Sequence, residues 1–273
     1  MAFTRADMLA AVERSPQLVR AHDRAGWVGL YALDGQIEDP VGSRPHRGPN
    51  EIDRFYATFI APREIAFHPR ADLVIDDVVI RDVDLEVRMS PALAMTIPAV
   101  LRYDLAPTGT ELKVTRLQAF WELPGMVGQF LRAGPAALPV GGALTVALLR
   151  NQGVVGTAGF LAGFRSAGRR GRREFAHFLT DARSGDEVAV RRRLARGARI
   201  THGETRPLAA AELLDRLADA EQNKLIVAGR HVVAGVETGS GPAVLVADVE
   251  KNPFAITRIR YFDDTGDGMP GSG

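Results

Sequence analysis

Residues 23–60 read DRAGWVGLYALDGQIEDPVGSRPHRGPNEIDRFYATFI, and the order of elements in this stretch decides the fold. Residues 35–41 are predicted to be a short extended segment that ends at an Asp-Pro pair. Pro49 opens a helix over residues 49–60. That helix presents one apolar face, formed by Ile52, Phe55, Tyr56 and Phe59. The stretch therefore predicts a short strand followed by an amphipathic helix.

The sequence before this stretch has a helical pattern. Apolar residues recur at three and four positions over residues 4–30. Pro16 interrupts the pattern, and Ser15 before it suits a helix cap. We therefore expect two short helices that meet at an angle.

The sequence after it is extended, from residue 65 to residue 122. Apolar and charged residues alternate over residues 72–89, as in VIRDVDLEV, which is typical of a half-buried strand. Turn signals follow at 90–91 and 107–109. Helices followed by long strands predict the α+β class. We expect a curved antiparallel sheet wrapped by helices, which forms a cone-shaped pocket with an apolar interior.

The same order of elements occurs a second time, over residues 172–262. GQIEDP (35–40) aligns with GARITHG (197–203), and EIDRFY (51–56) aligns with LLDRLA (213–218). The shared order indicates a tandem duplication. The second copy has room for fewer strands, so we expect it to be abbreviated.

The composition is that of a folded protein, with 46% hydrophobic and 25% charged residues in 273. A net charge of +1 gives no case for binding nucleic acid. The absence of cysteine excludes disulfides and thiolate chemistry. The N-terminus has no long apolar segment and does not resemble a secretory signal, so we expect a cytoplasmic protein.

The link between the two copies is apolar. Residues 133–149 carry no charge and include a Gly141-Gly142 pair. We predict a helical connector over residues 124–170, most simply buried between the copies, with contact to a membrane surface as an alternative. The arginine cluster at 169–173 suits anionic lipid or the solvated start of a helix.

The stretch quoted above resembles the N-terminal half of bacterial ketosteroid isomerases, in the nuclear-transport-factor-2-like (SnoaL-like) superfamily. EDPVGS (38–43), followed by a helix with Phe-Tyr, carries the resemblance. It implies an isomerase-like cone domain at residues 1–123. A second, abbreviated cone-like domain would follow at 171–265, and a disordered tail at 266–273.

The resemblance implies a reaction and its base. In that family, the aspartate of the motif moves a proton between two carbons next to a dienolate, and the matching residue is Asp39. A carboxylate in an apolar pocket is a better base than one in water. The alternative is a turn-forming Asp-Pro.

The resemblance also implies an oxyanion hole, made by a tyrosine and by an aspartic acid that its apolar surroundings keep protonated. Here these positions fall on Ser15 and Val100, so neither donor type is present. Tyr56 and Tyr31 are candidate replacements, with a core aromatic role as the alternative. Tyr103 and Asp104 could also substitute, although alternation turns one of the two away. The remaining residues expected to line the pocket are Trp27, Phe55 and Trp121.

The predicted function is a pocket for a steroid-like or other flat apolar molecule, with allylic proton transfer by Asp39. No cofactor or metal is implied. A non-catalytic apolar-ligand binding protein and a degenerate scaffold are the alternatives. His202, at the position of Asp39 in the second copy, is a weaker candidate base. The second domain is expected to be an internal, dimer-like partner.

Overall fold

The structure is a computed structural model, and it is described here for residues 3–91, 93–132, 141–142, 146, 148, 150–151 and 166–264. Much of the predicted helical connector over residues 124–170 lies outside these residues, and the predicted disordered tail lies wholly outside them. Within the described part of the chain, no helix has the length and apolar character needed to cross a membrane.

The helices of the first domain are α1 (Arg5–Arg20), α2 (Arg24–Val28) and α3 (Gly48–Phe55), and α3 continues as a π-helical turn over Tyr56–Ile60. The expected break at Pro16 is wrong, because α1 runs through it. The face of α1 that holds Pro16 is buried. Its packing outweighs the backbone hydrogen bond that proline removes.

The sheet of the first domain has six strands. They are β1 (Tyr31–Glu38), β2 (His46–Arg47), β3 (Glu64–Ile75), β4 (Val78–Ser90), β5 (Leu93–Thr108) and β6 (Glu111–Phe120). Their order is β2-β1-β6-β5-β4-β3. β1 runs parallel to β6 and the other neighbours are antiparallel, so the open sheet is mixed and not purely antiparallel as expected. Alternation predicts a strand but not which strand lies next to it, so the parallel pairing of β1 with β6 could not be predicted.

The second domain repeats these elements in the same order, after a helix α4 (Leu123–Arg132) that follows β6. Its helices are α5 (Gly168–Arg183), α6 (Glu187–Arg193) and α7 (Ala210–Leu217). Its strands are β7 (Leu194–His202), β8 (Arg206–Pro207), β9 (Glu221–Ala228), β10 (His231–Thr238), β11 (Gly241–Lys251) and β12 (Phe254–Asp263). The strand order β8-β7-β12-β11-β10-β9 matches that of the first sheet, and β7 is parallel to β12. The α+β fold is therefore present twice.

The expectation of fewer strands in the second copy is wrong, because both sheets have six. The shortening lies in strand length. β9 and β10 have 8 residues each, whereas β3 and β4 have 12 and 13. The second sheet therefore has the same topology as the first but a smaller area.

The two sheets pack against each other through the faces opposite to their helices. A cluster of buried apolar residues comes from both sheets. Val41, Leu73, Ile75, Val78, Ile80, Val100 and Phe120 come from the first domain, and Ile226, Ala228, Val233, Val244, Val246 and Phe262 from the second. Both faces of each sheet are therefore covered, one by helices and one by the other sheet.

Lys224 is a buried charged side chain that crosses this interface. Lys224, on β9, donates hydrogen bonds from Nζ to the backbone oxygens of Val83 (2.9 Å) and Ala99 (3.1 Å). The same ammonium group pairs with Asp82 and lies 3.3 Å from Asp84. These partners all belong to the first domain, so the second domain is joined to it by polar contacts as well as by apolar packing.

A pair of glycines marks a very close backbone approach between the domains. A Cβ atom on Gly42 would lie 2.6 Å from the Cα of Gly229, and Gly42 and Gly229 both have positive φ angles. Only glycine fits two backbones that approach this closely. Gly42 belongs to the EDPVGS segment, so this glycine of the motif is explained by packing between the domains.

Candidate functional site

The site begins where β1 ends. β1 and β6 are parallel, with Glu38 opposite Gln118, so the residues that follow the two strands meet at one edge of the sheet. Asp39 follows β1 and Trp121 follows β6. The Trp121 indole Nε1 donates a hydrogen bond of 2.6 Å to Asp39 Oδ1. The strand pairing thus fixes the carboxylate and its donor.

The loop after Asp39 is held by Glu38. One carboxylate oxygen of Glu38 accepts from the backbone N–H of Gly42 at 2.8 Å, and the other accepts from Gln118 Nε2 at 2.9 Å. Asp39 is therefore held on both sides, by the end of β1 and by the turn that the Glu38 hydrogen bonds stabilise.

Asp39 faces an apolar cavity between the helices and the first sheet. The cavity volume is about 130 Å³. A cavity of about this size admits one benzene-sized ring. The lining residues are Ser15, Val19, Trp27, Asp39, Phe55, Phe59, Ile60, Arg63, Ile65, Phe67, Leu85, Val87, Met89, Ile97, Leu101, Tyr103, Leu117, Trp121 and Met126.

The cavity makes Asp39 a stronger base than an exposed aspartate. Burial raises the pKa of Asp39 from 3.8 to about 6, and the hydrogen bond from Trp121 opposes this rise. The desolvated carboxylate is still ionised at neutral pH. A proton taken from a substrate would therefore be held more tightly than by a carboxylate in water.

Tyr103 supplies a hydroxyl group in the same cavity. Its side chain is buried, and burial raises its pKa to about 12, against the opposing effects of Arg81 and Ser15. The hydroxyl is thus a neutral donor at physiological pH. Ser15 lies beside it and accepts a hydrogen bond of 3.1 Å from Trp27 Nε1.

The sequence-predicted site residues divide into three groups. Ser15, Trp27, Phe55, Tyr103 and Trp121 line the cavity together with Asp39. Val100 does not: the structure places it on the other face of the sheet, in the apolar cluster between the domains. The pleat explains this, because positions 100 and 103 are an odd number of residues apart and point to opposite faces.

Tyr31 and Tyr56 form the third group, since both are buried next to the cavity and neither lines it. The Tyr31 ring packs edge-on against Trp27 with centroids 5.1 Å apart. The Tyr56 hydroxyl has no hydrogen-bond partner among the described residues. Burial and the charge of Asp23 raise its pKa, and the charge of Arg24 opposes this rise. The cavity that Asp39 faces is thus lined by Tyr103 in place of these two tyrosines.

His202 occupies the corresponding corner of the second domain. It follows the same strand pairing, with His202 opposite Tyr261, and its Nε2 lies 2.7 Å from Asp263 Oδ1. Asp263 also accepts from Arg216 Nη1 at 3.0 Å. His202 is therefore part of a buried charge cluster.

The sequence predicted fewer than half of the nineteen residues that line the cavity, and Arg63 is one of those it missed. Leu101 lies on β5 at the parity of Tyr103, so alternation could have assigned it once Tyr103 was placed. Arg63 lies in the turn before β3, where the sequence pattern gives no orientation. No group of three or more metal-ligating side chains occurs among the residues the structure describes.

Residues 8–98 match the family model of the nuclear transport factor 2 (NTF2) domain. Together with the observed helices and six-stranded sheet, this match shows that the first domain has an NTF2-like fold. The second domain has the same fold.

Several solved structures are similar to a part of this chain that is about as long as one domain. Delta 5-3-ketosteroid isomerase from Mycobacterium sp. is 25% identical, with a TM-score of 0.40, over 43% of this chain and 95% of that one. RV0760c from Mycobacterium tuberculosis, solved with estradiol-17beta-hemisuccinate, is 24% identical, with a TM-score of 0.40, over 43% and 95%. An epoxide hydrolase of the LEH-like type from Mycobacterium tuberculosis is 16% identical, with a TM-score of 0.41, over 50% and 96%.

Proposed function

We propose that the first domain binds a flat apolar small molecule of steroid-like shape and catalyses allylic proton transfer with Asp39 as the general base. One observation carries the proposal. The Asp39 carboxylate faces an apolar cavity, and burial raises its pKa to about 6. A structural Asp-Pro turn needs no cavity, whereas a carbon acid needs a desolvated base held beside it.

The proton movements balance within the pair of substrate and Asp39. The carboxylate takes a proton from the carbon between a ketone and an alkene, and the C–H electron pair passes into a dienolate. The negative charge then develops on the ketone oxygen, where a hydrogen-bond donor stabilises it. Asp39 returns the same proton to the far alkene carbon, which gives the conjugated ketone.

Tyr103 is the donor that the cavity offers to that oxygen. It is the neutral hydroxyl that lines the cavity alongside the small Ser15, and its raised pKa keeps it protonated. The second donor implied by the family resemblance has no counterpart on β5, because Leu101 is the neighbouring residue that faces the cavity. Loss of one such donor typically costs about 100- to 1000-fold in rate, so we expect slow turnover.

The test is the isomerisation of a β,γ-unsaturated 3-ketosteroid, followed by the absorbance of the conjugated product. We expect slow turnover by the natural chain and none above background by Asp39→Asn. The amide of this variant keeps an oxygen that can accept from Trp121, so the variant should bind the product with similar affinity. Equal turnover by both proteins would show that Asp39 is not the base.

A non-catalytic binding protein is the second candidate function, and the lack of a second oxyanion donor on β5, where Leu101 faces the cavity, favours it. Binding of the steroid without any turnover by the natural chain would select this function. Absence of both binding and turnover would select the degenerate scaffold.

We propose that the second domain is an internal partner for the first and not a second active site. Its counterpart of Asp39 is His202, which is paired with Asp263 in a charged cluster. Its sheet supplies half of the apolar interface, and Lys224 enters the first domain beside Asp82. Burial of the first sheet's outer face would support the face that lines the cavity.

A further inference from the structure

Arg63 is a cation at the edge of the apolar cavity. It lies in the turn between the π-helical end of α3 and the start of β3, and it lines the cavity with Phe59 and Ile65. Its Nη1 donates to the backbone oxygens of Thr58 (2.9 Å) and Phe59 (2.7 Å). These two bonds hold the guanidinium plane in place and use one of its three nitrogens.

No carboxylate balances this charge within the part of the chain that the structure describes. Nearby Glu64 pairs with Arg88. Burial alone lowers the pKa of Arg63 to about 10. Arg81, which is buried, differs from the partly buried Arg63: burial lowers the pKa of Arg81, but Asp72 and Glu13 more than restore it. A desolvated cation without a counter-ion is costly, unless a partner arrives from outside.

Arg63 and Asp39 lie at opposite sides of the sheet. Asp39 follows β1 and Arg63 precedes β3, and in the order β2-β1-β6-β5-β4-β3 these strands are four spacings apart. A ligand that touches both residues must therefore extend across the helix-covered face of the sheet. Both residues line the cavity, whose volume admits one ring, so a larger ligand would extend beyond that volume.

We infer that the ligand of this cavity is amphipathic, with a flat apolar body that reaches Asp39 and an anionic oxyacid group, a carboxylate or sulfate, that pairs with Arg63. This inference rests on the proposed function. The geometry suits it, because the guanidinium nitrogens not used by the two backbone oxygens can donate two parallel bonds to one oxyanion. A merely structural Arg63, which caps the carbonyl end of the helix, would not distinguish charged from neutral ligands.

The experiment compares two steroid esters of similar size, testosterone sulfate and testosterone acetate, by isothermal titration calorimetry on the full chain. We expect the sulfate to bind at least about tenfold more tightly than the acetate, since hydrogen bonds to charged groups contribute this much. In Arg63→Gln the preference should fall below about twofold, with affinity for the acetate unchanged. Arg63→Lys, which keeps the charge, should retain part of the preference.

Arg88→Gln is the matched control. Arg88 is exposed, pairs with Glu64 and Glu86, and does not line the cavity, but its loss changes the net charge equally. We expect it to keep the full preference for the sulfate.

The outcomes separate the inference from the function on which it rests. Equal affinity of the natural chain for both esters would overturn the role of Arg63 and leave the apolar cavity as proposed. Binding of neither ester would overturn both. If Arg63→Gln does not fold, the two esters on the natural chain and on Arg63→Lys still decide the question.

Discussion

The two domains place different chemistry at the same corner of the same fold. In the first domain, Asp39 meets an indole and an apolar cavity. In the second, His202 meets the carboxylate of Asp263, which also binds Arg216. The strand pairing is equivalent, so the difference lies in the surroundings. An ionisable group left with apolar neighbours is poised to take a proton, whereas one surrounded by counter-charges holds structure together.

Asp39→Asn should give the largest effect on turnover. Removal of a general base typically costs about 100- to 10,000-fold, and we expect at least about 1000-fold here, measured as the isomerisation rate. His202→Asn makes the matched change in the second domain and should leave the rate within about twofold. A comparable loss in both variants would mean that the two corners are not functionally different.

Lys224→Met should have the next largest effect, on stability. It leaves Asp82 buried without its partner, which typically costs about 3–5 kcal/mol. Urea unfolding of the full chain measures this. If the second domain is an internal partner, the steroid affinity of the first domain should also fall. Lys251→Met, at the exposed end of β11, is the control. A loss under about 1 kcal/mol for Lys224→Met would contradict an energetically important contact between the domains.

Tyr103→Phe should lower turnover by about 100-fold or more if its hydroxyl stabilises the developing oxyanion. The ring remains, so the affinity for a steroid should change little. Tyr56→Phe is the control, because Tyr56 is buried but does not line the cavity. A large loss of turnover in the Tyr56 variant, with none in Tyr103→Phe, would transfer the donor role to Tyr56.

The smallest effect concerns the pH dependence of stability. Burial raises the pKa of folded Asp39 from 3.8 to about 6, so between these pH values the folded state holds more proton than the unfolded chain. Asp39 therefore costs stability as pH rises through this window, and the cost is complete above about pH 6. Asp39→Asn should stabilise the protein by about 1–2 kcal/mol at about pH 7.5, allowing for partial exposure, and by nothing near pH 3.5.

Asp263→Asn should change the stability of the protein in the opposite direction to Asp39→Asn. It removes a carboxylate that pairs with His202 and Arg216, and it should destabilise the protein by about 1–3 kcal/mol at about pH 7.5. Thermal and urea unfolding of both variants at the two pH values measure the contrast. Destabilisation by Asp39→Asn at neutral pH would show that Asp39 is a structural residue like its counterpart.

Much of the fold could be predicted because it depends on local periodicity. The alternation over residues 72–89 predicts a half-buried strand, where the structure has the end of β3, a turn and the largely buried β4. The Asp-Arg pairs at 53–54 and 215–216 mark the same place on α3 and α7. The break at Pro16 was wrong, because the packing of α1 on the sheet is a long-range contribution that a proline rule does not contain.

The candidate site was only partly predictable. The place of Asp39 at the end of β1 follows from the motif, and its cavity neighbours Trp27 and Trp121 were expected. Val100 was wrongly assigned to the cavity. Alternation shows whether two residues of a strand share a face, but it does not show which face turns towards the helices. Arg63 lies in a turn, where no periodicity applies.

The sequence by itself determined the element order, the duplication and the strand end at which an aspartate stands, since each depends on neighbours along the chain. Only the tertiary structure decided which face of β5 lines a cavity, that the glycine of EDPVGS meets another backbone, and that Asp39 is desolvated while His202 is paired with a charge. The physical reason is that desolvation and charge pairing depend on groups far away in sequence. The combined effect of desolvation and charge pairing on a side chain is therefore determined only when both sheets are packed together.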